Sequence, residues 1–331
     1  MHNSSRALLS PDFDLDQHLH QSKMPEIAPH NDKERVWTTL ITNTKYLDGL
    51  LTLDYSLKRV GSQYRLIALY TDSFEKEGHD ALAERGIPSK HVEYLIPAKS
   101  KDYSQDVRFY DCWSKLQPFS LFEYDKVVQL DSDMVVVQNM DELFDLPVGE
   151  SNGNGSTWAF AASHACTCNP YNKPHYPKDW IRENCAFTNI SKSDDLKNPL
   201  FQSCNLGLGI CNGGLQVVKP DPELYDKIID AVSAPATGEY DFADQSLLSD
   251  VFKDRWIGLS YRYNALKTLR VFHKELWDDS VIKNIHYIIT PKPWEVEEDE
   301  YEDTTGTFKW WWDINKERLT LEGARISTPP S

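Results

Sequence analysis

Long apolar runs are missing from this sequence. No stretch approaches the roughly 18 consecutive apolar residues a membrane-spanning helix needs, so no span is expected. The opening segment, MHNSSRALLSPDFDLDQHLHQSK, has no apolar core of signal-peptide length, and a cytoplasmic location is the expectation. Positive charge is also scarce: 35 Lys and Arg stand against 51 Asp and Glu, a net charge of −16. Nucleic-acid and anionic-membrane partners need a basic footprint and are disfavoured by this balance. An anionic small ligand in a local basic pocket is not. Six cysteines in 331 residues do not indicate a disulfide framework. Asn189-Ile190-Ser191 fits a glycosylation sequon, which is idle without a secretory signal. No internal repeat is visible.

What is present is material for a large core. Hydrophobic residues make up 40% of the chain, including ten Trp, sixteen Tyr and thirteen Phe. That suits one large domain or two ordinary ones. Residues 1–34 are polar, with Pro11, Pro25, Pro29 and four of the ten histidines, and read as a flexible arm. From residue 35 the pattern alternates. VWTTLIT (36–42), YRLIALYTD (64–72), VEYLIP (92–97) and DKVVQLD (125–131) read as strands. YLDGLLTLDYSLKRVG (46–61), FEKEGHDALAERG (74–86) and FYDCWSKLQPFSLF (109–122) read as helices between them. Such alternation predicts an α/β fold with parallel strands covered on both faces.

Past residue 137 the reading changes. MDELFDLP (140–147) is a short helix and turn, WAFAAS (158–163) and GGLQVVKP (213–220) are strands, and ELYDKIIDAV (223–232) and ADQSLLSDVFKDRW (243–256) are helices. An irregular insertion, 164–211, holds five of the six cysteines. EVEEDEYED (295–303) is acidic and reads as a solvated loop. Residues 321–331 read as a tail.

The chemistry is concentrated in VVQLDSDMVV (127–136). On a strand, residues two apart share a face, so Asp131 and Asp133 converge at a strand's C-terminal end, where open α/β sheets bind ligands. Paired carboxylates suit a hard cation such as Mg²⁺ or Mn²⁺, which can bridge phosphate oxygens. Two other readings share the pattern: a turn capped by both aspartates, and the nucleophile and acid of a haloacid-dehalogenase-type phosphatase.

Five further segments resemble glycosyltransferase family 8, in particular its glycogenin and galactinol synthase group. They are TLITNTKY (39–46), CWSKLQPFSLFEYDKVVQLDSDMVVVQNMDELFDLP (112–147), NGGLQVVKP (212–220), DFADQSLL (241–248) and IHYIITPKPW (285–294), in the family's order. The resemblance implies a GT-A fold over residues 35–320, with a Rossmann-like nucleotide half, a mixed central sheet and the Cys-rich insertion. It implies retaining, Mn²⁺-dependent transfer of a hexose from a UDP-sugar, with Mg²⁺ as the alternative ion. Asp131, Asp133 and His286 would hold the metal, with Ser132 between them. Lys292, Lys115 and Arg108 would face the donor. Leu40, Thr42, Asn43 and Tyr46 would receive uridine. Asn212, Gly213 and Gly214 would line the sugar site, Asp241 would bind sugar hydroxyls or cap a helix, and Asp244 or Gln245 would sit near the anomeric carbon.

Two departures from the family and three finer likenesses sharpen the expectation. The position matching the tyrosine that glycogenin-type enzymes glucosylate is Val271, so a separate acceptor is expected: a polyol, a glycan or a protein. FADQSLLSDVFKDRW (242–256), KWWWDINKERL (309–319) and the insertion all lean toward galactinol synthase, with an inositol-type polyol as acceptor. The alternatives are a glycogenin-like glucosyltransferase and a catalytically degenerate sugar-nucleotide-binding protein. The family's glycine before Lys-Pro-Trp is absent, Ile289 and Pro291 occupying that loop. In the insertion, Cys166, Cys168, Cys185, Cys204 and Cys211, with His164 and His175, read as reduced buried thiols in preference to a structural Zn²⁺ site. The triple Trp reads as core packing in preference to a sugar platform. Monomer and homodimer both stay open.

Overall fold

A computed structural model describes residues 34–327 apart from residue 106; the predicted N-terminal arm, but for its last residue Glu34, lies outside the described residues. The central sheet has eight strands in the order β3-β2-β1-β4-β8-β6-β9-β7. They are β1 (Arg35–Ile41), β2 (Leu66–Tyr70), β3 (Ser89–His91), β4 (Lys126–Leu130), β6 (Phe160–Ser163), β7 (Phe201–Gln202), β8 (Leu215–Val218) and β9 (Trp256–Leu259). A second sheet, in the order β10-β11-β5, joins β10 (Ala265–Leu266), β11 (Asn284–His286) and β5 (Met134–Val136).

The first four strands of the large sheet run parallel, as the helix–strand alternation predicts. β8 then pairs antiparallel with both β4 and β6, which makes the sheet mixed. β4 has neighbours on both edges and is buried along its whole length, which explains why Val127, Val128 and Leu130 are apolar on both faces. Its one internal polar residue is satisfied: the Thr38 hydroxyl on β1 donates to Gln129 Oε1 at 2.6 Å, in register across the ladder. The helix Leu47–Arg59 packs Leu50, Leu53 and Leu57 inward and ends on Gly61, whose φ of 72° only glycine adopts freely. Among the described residues no helix is long and apolar enough to cross a membrane.

Several predicted boundaries move. VEYLIP is not a strand. The Val92 amide makes the last sheet bond, to Tyr70 O, and the chain then leaves the sheet, with Ile96 in solvent. The helix from Ala243 stops at Val251; Asp254 takes φ 60°, and Trp256 opens β9. Cys112–Ser120, which contains Pro118, is a 3₁₀ segment. The C-terminal helix runs Phe308–Ser327, well past the predicted boundary at 320, because Arg318 and Glu322 pair along it and Glu322 also meets Arg85. Trp311 is buried in it against Trp294, as the packing reading expects.

Candidate active site

β5 and β11 are three residues each, yet their pairing organises the site. Their antiparallel register sets His286 opposite Met134, and the Tyr287 amide donates to Asp133 O at 2.9 Å. The ring of His286 is thereby fixed beside the two carboxylates that end β4. His286 Nε2 lies 3.2 Å from Asp133 Oδ1 and 3.6 Å from Asp131 Oδ2. One ligand atom from each of Asp131, Asp133 and His286 falls within 4.8 Å of the others.

The hydrogen-bond pattern fixes which ring nitrogen carries the proton. The Gly214 backbone N–H, a donor without ambiguity, donates to Asn212 Oδ1 at 3.0 Å. Asn212 therefore presents oxygen there, and the Asn264 atom 2.8 Å away must be its amide nitrogen. Asn264 then turns its oxygen to His286 Nδ1 at 2.9 Å, so Nδ1 carries the proton. Nε2 is left facing the two carboxylates. A histidine whose far nitrogen is held by a neighbouring amide while the other faces two carboxylates suits a divalent cation bound between the three side chains.

Two lysines flank the acids. Lys115 Nζ donates to Asp131 Oδ2 at 2.7 Å. Burial works against its charge, but Asp131 and its neighbours hold its pKa well above the ordinary lysine value. Lys292 is fully buried, with Nζ 2.5 Å from Asp133 Oδ2 and 2.7 Å from Tyr287 O. Burial would raise the Asp133 pKa, yet Lys292 and His286 hold it well below the usual carboxylate range. Asp244 is different. Burial, with Asp131 adding to it and Lys115 opposing it, pushes its pKa up to about 7.

A cavity of about 260 Å³ opens over these groups. It is lined by Leu40, Thr42, Asn43, Tyr46, Arg108, Lys115, Asp131, Ser132, Asp133, Asn212, Gly213, Gly214, Asp244, Gln245 and His286, so the structure gathers fifteen of the seventeen sequence-predicted residues on one wall system. Burial and Asp133 push the Tyr46 phenol up to about 12, with Arg108 opposing. The two exceptions are Lys292, which lies behind Asp133, and Asp241, which pairs with Lys101 and does not line the cavity. Nor does Asp241 cap the helix that starts at Ala243: the N-cap is Phe242. Gly213 and Gly214 are required by close approach, since a Cβ on either would overlap Asp244 or His286.

Sequence reasoning missed three contributors. Asn264 sets the His286 tautomer, but a lone asparagine carries no motif. Lys267 donates to Ile289 O at 3.0 Å and Pro291 O at 2.9 Å, gathering the loop before Lys292, and burial followed by Lys292 lowers its pKa to about 8. In that loop Ile289 takes φ 64°, a left-handed conformation in the very segment where the family's glycine is missing. Third, the aromatic wall of Tyr171, Tyr176, Trp180 and Phe242 is built largely by the insertion, where no periodicity signals it.

A parallel first half, an antiparallel continuation and an acidic cluster at the strand ends are those of a glycosyltransferase with the GT-A fold. The model of glycosyl transferase family 8 matches residues 38–298, and the chain belongs to that family, whose members are retaining hexosyltransferases. It is 27% identical to galactinol synthase 1 of Solanum lycopersicum over 298 residues, covering 88% of this chain and 84% of that one. It is likewise 27% identical to galactinol synthase 2 of Arabidopsis thaliana, covering 92% and 88%. The fold is similar to that of the galactosyltransferase LgtC solved with donor and acceptor sugar analogs, with TM-score 0.54, 17% identity, and coverage of 85% of this chain and 96% of that one.

Proposed function

We propose that this chain transfers galactose from UDP-galactose to a hydroxyl of an inositol-type polyol, with Mn²⁺ or Mg²⁺ held by Asp131, Asp133 and His286. The observation that carries the chemistry is the position of His286 Nε2, held by the Asn264 contact to Nδ1 and facing both carboxylates. A bound divalent cation supplies positive charge to a departing nucleoside diphosphate. Lys115 links the acidic cluster to the sugar end of the cavity, where Asp244 and Gln245 stand ready to orient donor hydroxyls. Tyr46, Thr42 and Asn43 form the end suited to the nucleobase, with the Thr42 hydroxyl already directed to Asp111 at 2.9 Å.

Two features support a small acceptor. The galactinol synthases match this chain over most of both lengths. The cavity's far wall is an aromatic screen of Tyr171, Tyr176, Trp180 and Phe242, which suits the faces of one compact ring better than an extended glucan. Val271, in a short helix away from the cavity lining, offers no hydroxyl for self-glucosylation. The test is UDP release and product mass with UDP-galactose, UDP-glucose and UDP-N-acetylglucosamine, each offered inositol, glucose, maltose or glycogen, with and without Mn²⁺. A galactosyl-inositol product formed only with Mn²⁺ or Mg²⁺ is expected. Product formation confined to maltose or glycogen would overturn the acceptor assignment. Absence of binding and turnover with every UDP-sugar would favour the degenerate binding protein.

A further inference from the structure

The structure assigns a second metal site outside the transfer centre: we propose a structural Zn²⁺ held by Cys166, Cys168, Cys185 and His273. These residues come from distant parts of the chain. Cys166 and Cys168 follow β6, Cys185 precedes the short helix Ala186–Asn189, and His273 ends the short helix Leu269–Phe272. One ligand atom from each lies within 4.8 Å of all the others. His273 Nε2 is 3.6 Å from Cys166 Sγ, 3.2 Å from Cys168 Sγ and 3.8 Å from Cys185 Sγ, and the Cys185 and Cys166 sulfurs are 3.9 Å apart.

Those spacings are the edges of a zinc tetrahedron. With Zn–S of about 2.3 Å and Zn–N of about 2.0 to 2.1 Å, tetrahedral ligands stand about 3.8 Å apart for sulfur pairs and about 3.5 Å for sulfur and nitrogen. The competing explanations fit less well. A disulfide needs sulfurs about 2.05 Å apart, and all six cysteines are free. A cluster of neutral thiols also fails on proton count: Nε2 can donate one proton or accept one, so it satisfies one sulfur, not three. A single positive centre between the four atoms satisfies all of them. Thiolate-rich, tetrahedral, with a fourth protein ligand closing the set, the arrangement is that of a structural zinc site.

The remaining candidates from the insertion are placed elsewhere. Cys211 Sγ accepts from the Ser249 hydroxyl at 3.3 Å, and Cys204 packs with the Trp256 core. His164 lies against Trp256 with ring centroids 4.9 Å apart and planes tilted by 54°, and His175 is exposed. His273 lies outside the insertion, which is why the sequence does not reveal a four-ligand set.

The location gives the site a purpose. Cys168 and Cys185 bracket the excursion 169–184, the segment that carries Asn169, Tyr171, Lys173, Tyr176 and Trp180 to the cavity wall. Joining both ends to His273 closes that excursion into a loop anchored on the body of the domain. Two existing contacts run the same way: Arg182 Nη1 donates to Phe272 O at 2.7 Å, and Tyr171 meets Phe272 edge-on at 5.5 Å.

Metal analysis of the full chain, expressed with zinc and then dialysed against a mild chelator, tests the assignment without reference to activity. About one tightly held zinc per chain is expected, with Co²⁺ replacement giving thiolate-to-metal charge-transfer bands and the intense visible bands of a tetrahedral ion. Cys168→Ser and His273→Ala should lose the zinc, while Cys204→Ser and Asp133→Asn keep it. Hydrogen exchange in 169–184 should quicken in the zinc-free variants. Absence of zinc from the unmodified chain, an iron–sulfur chromophore in its place, a Cys166–Cys185 disulfide found by mass, or zinc lost on Asp133→Asn and kept on Cys168→Ser would each overturn the proposal. Because the wild-type metal content is decisive, a variant that fails to fold does not obscure the answer.

Discussion

Asn264 is a small residue with a large consequence, because its amide decides which nitrogen of His286 meets the acidic pair. Asn264→Leu keeps the volume and removes both hydrogen bonds, so the ring loses its fixed tautomer. Replacing such outer partners weakens metal binding by about 10- to 100-fold. Titration of Mn²⁺ by electron paramagnetic resonance should show a loss of that size, with the melting temperature little changed; an unaltered affinity would break the tautomer argument. Asp244 makes a different point at the same scale. Its folded pKa, about 7, lies above the ordinary aspartate value of about 3.9. The folded state therefore holds a proton that the unfolded state has released between these values. The stability this group contributes is complete below about pH 4 and is lost as pH rises through about 7. Asp244→Asn cannot ionise and escapes that loss. It should be more stable than the wild type at pH 8, by at most about 4 kcal/mol, with the gap closing toward pH 4. Denaturant melts of the two proteins without added metal, across that range, check it; a gap independent of pH would refute the assignment.

The elements differ in how much of themselves they announce. β1, β2 and β4 are buried runs of β-branched and apolar residues, and the helix Leu47–Arg59 repeats leucine at helical spacing; all four are legible from local pattern. β5 and β11 are not, since MVV and NIH are too short for any period to register, and their partnership is a long-range pairing. The Asp-x-Asp pair was thus readable as a strand-end ligand site, whereas the register that carries His286 to it was not. The apolar segment VEYLIP misleads for the opposite reason: its composition suits a strand, but the sheet edge ends at His91 and the backbone turns to Ser114, whose hydroxyl receives the Leu95 amide at 3.1 Å. The start of β8 is an element whose value lies in what it lacks. A methyl on Gly214 would overlap His286 Cε1 and stand 2.8 Å from Nδ1, in a place where β11 holds the ring. Gly214→Ala should leave the sheet folded and move the imidazole by a fraction of an ångström or more. A misplacement of that order costs about 10²-fold in turnover. Steady-state kinetics alongside circular dichroism would show this; wild-type kcat/KM would mean the ring can yield without cost.

At the scale of the whole molecule, the proposed donor is anionic while the protein is acidic, and the positive charge around the site is buried rather than carried on a basic surface. The net charge is −16, yet Lys115, Lys292, Lys267 and Arg108 all gather around Asp131 and Asp133. Lys292 is the extreme case. It sits in the C-terminal part of the chain with no exposure, its ammonium on Asp133 and on Tyr287 O, so it ties the end of the second sheet to the end of the first half. This placement makes it a structural counter-ion to the acidic pair before it is anything else. Lys292→Met fills similar volume but leaves Asp133 buried with His286 alone beside it. Breaking a buried pair from one side costs about 3–5 kcal/mol, whereas removing both charges is far milder. The single variant should therefore unfold at much lower denaturant than the wild type, and Asp133→Asn in the same chain should recover most of the loss. Saturating Mn²⁺ should also restore part of the stability of Lys292→Met, because an ion that binds only the folded state stabilises it by about 2.7 kcal/mol at a hundred times its Kd. The double variant should show no such rescue. Additive losses in Lys292→Met and Asp133→Asn, with no recovery in the pair, would mean that Lys292 stabilises the fold through its packing and leaves Asp133 to other partners.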